Sequence, residues 1–177
     1  AVIPILIQNK YSKPVVGVEY QEEIYQLAKE SVRYNQMEEA IALIHDNVKE
    51  LKNYFPGNNF DVILCNPPYF KYTESSNINK NLIKSIARQE IFEVTSFFLK
   101  DKGRFYLVHV PDRIDEIFVY ANRFGLAIKE LQFIYSKMNE KPVMVLVTCV
   151  KGGRFGTRVY QPVNIGSLES YQGIFRK

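Results

Sequence analysis

The 177-residue sequence has no tryptophan, two cysteines, two histidines and three methionines. No apolar run is long enough to cross a bilayer, and no signal-peptide pattern opens the chain. Each shortage removes a class of protein. Two cysteines, Cys65 and Cys149, are too few for a disulfide framework or a thiolate zinc site. Both sit in apolar, strand-like runs, so they read as buried free thiols in a reducing compartment, and the expected location is cytoplasmic. His45 and His109 stand at no ligand spacing with them, and no metal is expected. Nor does one sign of charge dominate. Twenty-three Lys and Arg against nineteen Asp and Glu leave +4, with a pI near 8.9. That mild excess is compatible with nucleic acid and equally with an ordinary solvated surface. What is present, 46% apolar and 24% charged residues, is the balance of a soluble globular domain long enough for one core.

The chain opens abruptly on AVIPILIQNK, and residues before Ala1 are expected to be missing. Ala1–Asn9 reads as the tail of a helix. Val15–Glu19 is an apolar strand ending in an acid. Gln21–Asn35 has the spacing of an amphipathic helix, with Ile24, Leu27, Ala28 and Val32 on one stripe and Glu22 and Glu23 in the first turn. Ala40–Ile44 is a second strand before His45-Asp46-Asn47, and Val48–Tyr54 a short helix stopped by Pro56-Gly57. Phe60–Cys65 is a third strand, and Lys71–Asn81 a polar loop. Glu90–Lys100 is helix-like, Asp101–Gly103 a turn and Arg104–Val110 a strand. Asp112–Phe124 is a helix with Asp112 as its N-cap and Gly125 as its stop. Leu126–Ser136 and Val143–Val150 are two late strands, close enough to suggest an antiparallel addition. Helices alternating with near-continuous apolar strands indicate an α/β sheet covered on both faces.

Three successive strands end in polar groups: Glu19, Asp46 and Asn66. In open α/β sheets ligands bind at that edge. The third strand runs into Asn66-Pro67-Pro68-Tyr69. Two prolines fix φ, remove two N–H donors and force an extended course. The result is a stiff bracket offering the Asn66 side-chain oxygen and the Pro67 carbonyl, with the Tyr69 ring beside them. Such a bracket suits a planar group bearing an NH2. Two acceptors localise the nitrogen lone pair and stabilise the positive charge that grows on it during attack, while the ring stacks on the planar group. The plain alternative is a turn.

At these residues the chain resembles the S-adenosylmethionine-dependent amino-group methyltransferases with an Asn-Pro-Pro-Tyr signature. The stretches VVGVEYQEEIYQLAKESVRYNQM, FDVILCNPPYFK, IARQE, GRFYLVHVPDRIDEI and MVLVTCVKGG narrow this to the bacterial tRNA(Val) adenine-N6 methyltransferases, over Ile3 to Gly153. The resemblance implies an α/β fold: a Rossmann-like class I methyltransferase sheet with helices on both faces, an antiparallel edge and its N-terminal part missing. It implies one such domain over residues 1–165 and leaves 166–177 unassigned. S-adenosyl-L-methionine would be the cofactor and tRNA the partner. Glu19, with Tyr20, would hold the cofactor's ribose hydroxyls, and Asp46, with Asn47, its adenine. Asp46 alternatively caps the helix from Val48. Asn66, Pro67, Pro68 and Tyr69 would be the catalytic bracket around the target adenine, Asn66 also touching the cofactor. Phe70, Lys71 and Arg88 would contact RNA, with Lys80 and Lys84 in the same polar loop. His109 is assigned to the core or to a supporting role.

The family's glycine-rich stretch before the residues matching Val2–Ile7 is not in this sequence. The chain as written is therefore expected to bind S-adenosylmethionine weakly and to be inactive alone. Joins across absent residues are expected near Arg88–Phe92 and at Gly166-Ser167. Two competing functions remain at this stage. One is methylation of a release-factor glutamine, guanine N2 or DNA adenine; the other is a non-catalytic RNA- or protein-binding module.

Overall fold

The structure is a computed structural model describing residues 2–67, 88–137 and 140–166. It divides into two compact units, Ala1–Phe55 and Pro56–Lys177.

In the first unit, helix α1 (Val2–Tyr11) precedes strand β1 (Val15–Glu19), helix α2 (Glu22–Tyr34), strand β2 (Ile41–His45) and a 3-10 turn at Val48–Asn53. β1 and β2 pair in parallel, from Val15 opposite Ile41 to Glu19 opposite His45. Parallel neighbours need a crossover, and α2 supplies it. Glu22 and Glu23 open α2 and Arg33 closes it, the charge order that opposes the helix dipole. Its inward stripe differs from the expected one. Ala28 and Val32 are buried as expected, whereas Ile24 and Leu27 are exposed. Tyr25, one turn before Ala28, takes the inward place instead and stacks on His45 at 4.9 Å.

In the second unit, strand β3 (Phe60–Cys65) is followed by helix α3 (Arg88–Phe98), strand β4 (Leu99–His109), a 3-10 turn at Pro111–Arg113 and helix α4 (Ile114–Arg123). Strands β5 (Leu126–Tyr135), β6 (Met144–Lys151), β7 (Arg158–Val159) and β8 (Val163–Asn164) complete it. The order is β3-β4-β6-β5-β7, with β8 also on β5. β3 is parallel to β4, and β6 is antiparallel to both β4 and β5. The late antiparallel addition is thus present, with β6 inserted between its two neighbours.

Alternation builds the core. Phe105 and Leu107 of β4, Leu126, Ile128 and Leu131 of β5, and Val145, Val147 and Cys149 of β6 are buried, and meet Phe92, Ile117 and Ala121 from α3 and α4. Phe92 sits edge-on to Phe105, centroids 5.9 Å apart, a favoured aromatic geometry. Lys151 braces the start of β4: its ammonium donates to Asn58 Oδ1 at 2.7 Å and to the carbonyls of Ser96 and Leu99.

Three local expectations are corrected. The helix before β4 stops at Phe98, and Leu99 already belongs to the strand because its side chain is fully buried. The expected turn at Asp101–Gly103 lies within β4 as a register slip: Phe60 faces Leu99, but Val62 faces Arg104, with Lys102 at φ +60°. Asp112 is not the N-cap of α4, which follows Arg113 with no side-chain cap bond. Gly125 stops α4 as expected, at φ +69° with its N–H on Asn122 O, the left-handed residue for which glycine is the cheapest choice.

Candidate functional site

The register of β1 on β2 sets the candidate site residues of the first unit. Glu19 ends β1 opposite His45, and Asp46 follows β2 directly. Two parallel strands therefore deliver two carboxylates to neighbouring carboxyl ends, where α/β sheets bind ligands. Glu19 Oε1 accepts from Gln21 N–H at 2.9 Å. Its second oxygen has no partner among the described residues. Asp46 is held from two sides: Oδ1 accepts from Asn47 N–H at 2.7 Å, and Oδ2 from the Tyr54 hydroxyl at 2.9 Å. That hydrogen bond, together with the charge of Asp46, raises the Tyr54 pKa above its ordinary value. The helix cap proposed for Asp46 falls to its neighbour, since Asn47 Oδ1 accepts from Lys49 N–H and caps the 3-10 turn.

Sequence reasoning missed two residues that shape this edge. His45 Nε2 lies 3.0 Å from Tyr20 O, and Nδ1 lies 3.0 Å from Glu22 Oε2. With its ring stacked on Tyr25, His45 ties the chain after β1 to the start of α2. Tyr54 is the second. The signal for His45 was its place directly before Asp46. Tyr54 gave none, because only folding of the 3-10 turn brings it back to Asp46.

In the second unit Asn66 and Pro67 follow β3. Asn66 is exposed, and its amide has no hydrogen-bond partner among the described residues; Pro67 is buried. A buried proline beside an exposed amide fixes the backbone while leaving the amide able to accept from a ligand. Pro68, Tyr69, Phe70, Lys71, Lys80 and Lys84 lie outside the described residues. Arg88 opens α3, its side chain likewise outside them. His109 is buried at the end of β4 with Nδ1 3.3 Å from Val110 O, in keeping with a core role. Cys149 is fully buried and Cys65 partly so; both are free, and burial pushes each thiol up to about 12. Among the described residues no group of three or more His, Cys, Asp and Glu is placed to hold a metal, and no helix is long and apolar enough to cross a membrane.

The first unit thus holds a parallel pair of strands with acids at its carboxyl ends, and the second a parallel pair continued by an antiparallel strand, both α/β arrangements. The family model described as UPF0020, RMKL-like, methyltransferase domain, matches residues 5–100, more than half of the chain, and the chain belongs to that family. The chain is 30% identical over 99 residues to a tRNA1(Val) (adenine(37)-N6)-methyltransferase of Cytophaga hutchinsonii, covering 52% of this chain and 41% of that protein. It is 25% identical over 144 residues to the protein of the same name from Dyadobacter fermentans, covering 79% and 58%. It therefore spans about two fifths to three fifths of the length of these relatives. Among solved structures it is similar to a predicted O-methyltransferase from Agrobacterium tumefaciens, at TM-score 0.64 and 19% identity, covering 86% of this chain and 71% of that one. It is also similar to geranyl diphosphate C-methyltransferase from Streptomyces coelicolor, solved with S-adenosyl-L-homocysteine, at TM-score 0.59 and 11% identity, covering 83% and 67%. These likenesses show the class I methyltransferase fold.

Proposed function

We propose that this chain is the methyltransferase part of an enzyme that transfers a methyl group from S-adenosylmethionine to the exocyclic N6 amine of an adenine in tRNA. The finer form of the reading places that adenine 3′ to the anticodon of a valine tRNA, and the domain over residues 1–165. The observation that carries it is the exposed amide of Asn66 at the carboxyl end of β3, without a hydrogen-bond partner among the described residues and backed by buried Pro67. The names of the two curated relatives support the substrate.

The donor chemistry of the first unit fits the cofactor. One Glu19 carboxylate oxygen has no partner among the described residues, and a carboxylate accepts from paired ribose hydroxyls. Asp46, steered by Asn47 N–H and Tyr54 OH, accepts from an adenine amine. S-adenosylmethionine bound there supplies an electrophilic methyl group. Asn66 Oδ1 and the Pro67 carbonyl hold the two hydrogens of the target amine. They draw its lone pair out of conjugation and meet the positive charge that develops on nitrogen. No general base is needed, because the methylated nitrogen sheds its extra proton to solvent. An adenine in an RNA loop reaches such a bracket at little cost, being unpaired already.

The test is tRNA from a strain lacking the gene. It should lack N6-methyladenosine in valine tRNA and regain it with the full-length gene, but not with its Asn66→Ala variant. Restoration by Asn66→Ala, or a modification found only in ribosomal RNA or a release factor, would overturn the proposal.

A further inference from the structure

The segment KGGRFGTRVY, Lys151–Tyr160, has three basic residues, two aromatic rings, three glycines and no acid. Its geometry is unlike that of a slack linker. Gly152 N–H donates to Gly125 O at 2.9 Å, Thr157 Oγ1 to Ile128 O at 2.9 Å, and Tyr160 N–H to Leu131 O at 2.8 Å. β7 pairs in parallel with β5, Arg158 opposite Glu130. The loop is thus pinned to the sheet on both sides. At its tip Phe155 is 90% exposed. A phenyl ring held out in water from an anchored loop contributes nothing to the core and costs hydration.

Cations lie beside the loop. Arg104, Lys129 and Arg158 line one shallow depression with Glu130, Val150 and Gly156. Gly156 sits at φ +118°, a conformation reserved for glycine. Lys129 Nζ donates to Arg154 O at 3.1 Å, which brings its charge under the loop. The Arg158 guanidinium lies over the Tyr160 ring, 5.9 Å from its centroid. The one acid lining the depression, Glu130, accepts from the Tyr160 hydroxyl at 3.2 Å. Arg104 and Arg154 form no ion pair among the described residues.

We propose that this loop and the adjoining depression form an RNA-docking surface, with Phe155 stacking on an unpaired base and Arg104, Lys129, Arg154 and Arg158 facing the phosphates. The inference rests on the tRNA reading above and adds a contact surface to it. Exposed rings interleaved with guanidinium groups suit single-stranded nucleic acid, because each base offers a face and each phosphate a charge. An acidic peptide would satisfy the arginines and leave Phe155 in water.

The experiment is fluorescence anisotropy of the 177-residue chain with a labelled tRNA anticodon arm and with a labelled poly-glutamate peptide, across a salt series. Phe155→Ala should weaken arm binding about tenfold, and Arg154→Ala with Arg158→Ala should lower the log–log salt slope by about 1.4, at about 0.7 per phosphate. Both sites are exposed, so melting temperatures should not move, and Lys13→Ala in the other unit should bind as the unaltered chain does. Arm binding unchanged in both loop variants, or poly-glutamate bound as tightly as the arm, would overturn this surface while leaving the tRNA reading standing. An unaltered chain that binds no RNA at any salt would overturn both.

Discussion

Asn66→Ala separates chemistry from folding and from cofactor binding in one substitution. The residue closes β3, is exposed, and has no side-chain partner among the described residues. Its truncation breaks no hydrogen bond to a described residue, so folding stability should change by less than about 0.5 kcal/mol. At this chain length that is about 1–2 °C in melting temperature. The proposed role demands a far larger effect on turnover. Removing one preorganised dipole aimed at developing charge costs roughly 10²–10³ in kcat, or about 2.7–4 kcal/mol. Cofactor affinity, assigned mainly to Glu19 and Asp46, should hold within about twofold, because the lost interaction belongs to the transition state. Radiolabelled methyl transfer to valine tRNA gives kcat, calorimetric titration gives the cofactor Kd, and a thermal melt gives stability, all with the full-length enzyme. Normal turnover, or a defect mainly in cofactor Kd, would show that the Asn66 amide does not face the substrate amine.

Other perturbations test the scaffold. Lys151→Ala removes an ammonium shared by Asn58, Ser96 and Leu99 and should cost about 1.5–3 kcal/mol in urea unfolding; a loss below about 0.5 kcal/mol would deny the bracing role. Asp46→Asn should bring the Tyr54 phenol back down toward 10.0 in an ultraviolet titration, since the hydrogen bond and charge of Asp46 are what raise it; an unmoved phenol would break that link. Burial raises the Cys65 and Cys149 thiols from 9.0 to about 12. Above pH 9 the unfolded chain releases these protons while the folded chain keeps them, so stability falls as pH rises from 9 toward 12. A Cys65→Ala, Cys149→Ala pair should flatten that fall, and an identical slope in both proteins would refute the assignment.

Much of the fold was legible because its signals are local. Phe60–Cys65 is apolar and bounded by turn residues, and the strand falls on those positions. Gly125 ends α4 because that position needs a positive φ. Signals that depend on partners were less legible. The helix stripe through Ile24 and Leu27 has sound periodicity, yet the inward place goes to Tyr25, whose partner is the His45 ring. The break between α3 and β4 was misplaced because Leu99 reads equally well in helix or strand, and only its burial decides. β7 and β8 carry no periodicity in two residues each and exist because β5 has a free edge to pair.

The site divides along the same line. Residue type and strand-end position were enough to single out Glu19, Asp46 and Asn66, because an acid or amide at the end of an apolar strand stands out. How each is held was not readable. Asp46 has both oxygens engaged, by Asn47 N–H and Tyr54 OH, whereas Glu19 spends one oxygen on Gln21 N–H and Asn66 has no partner among the described residues. The three residues therefore differ in how far they are set before any ligand arrives. A carboxylate already steered by two donors loses little freedom on meeting an amine, which favours recognition of a fixed cofactor. An amide with no partner among the described residues gives up no bond to them on meeting a substrate amine, which leaves that capacity for the nitrogen on which charge develops. On the proposed function that is the physically sensible allocation: the most constrained acceptor for the molecule that is always the same, and the least committed one for the atom that reacts.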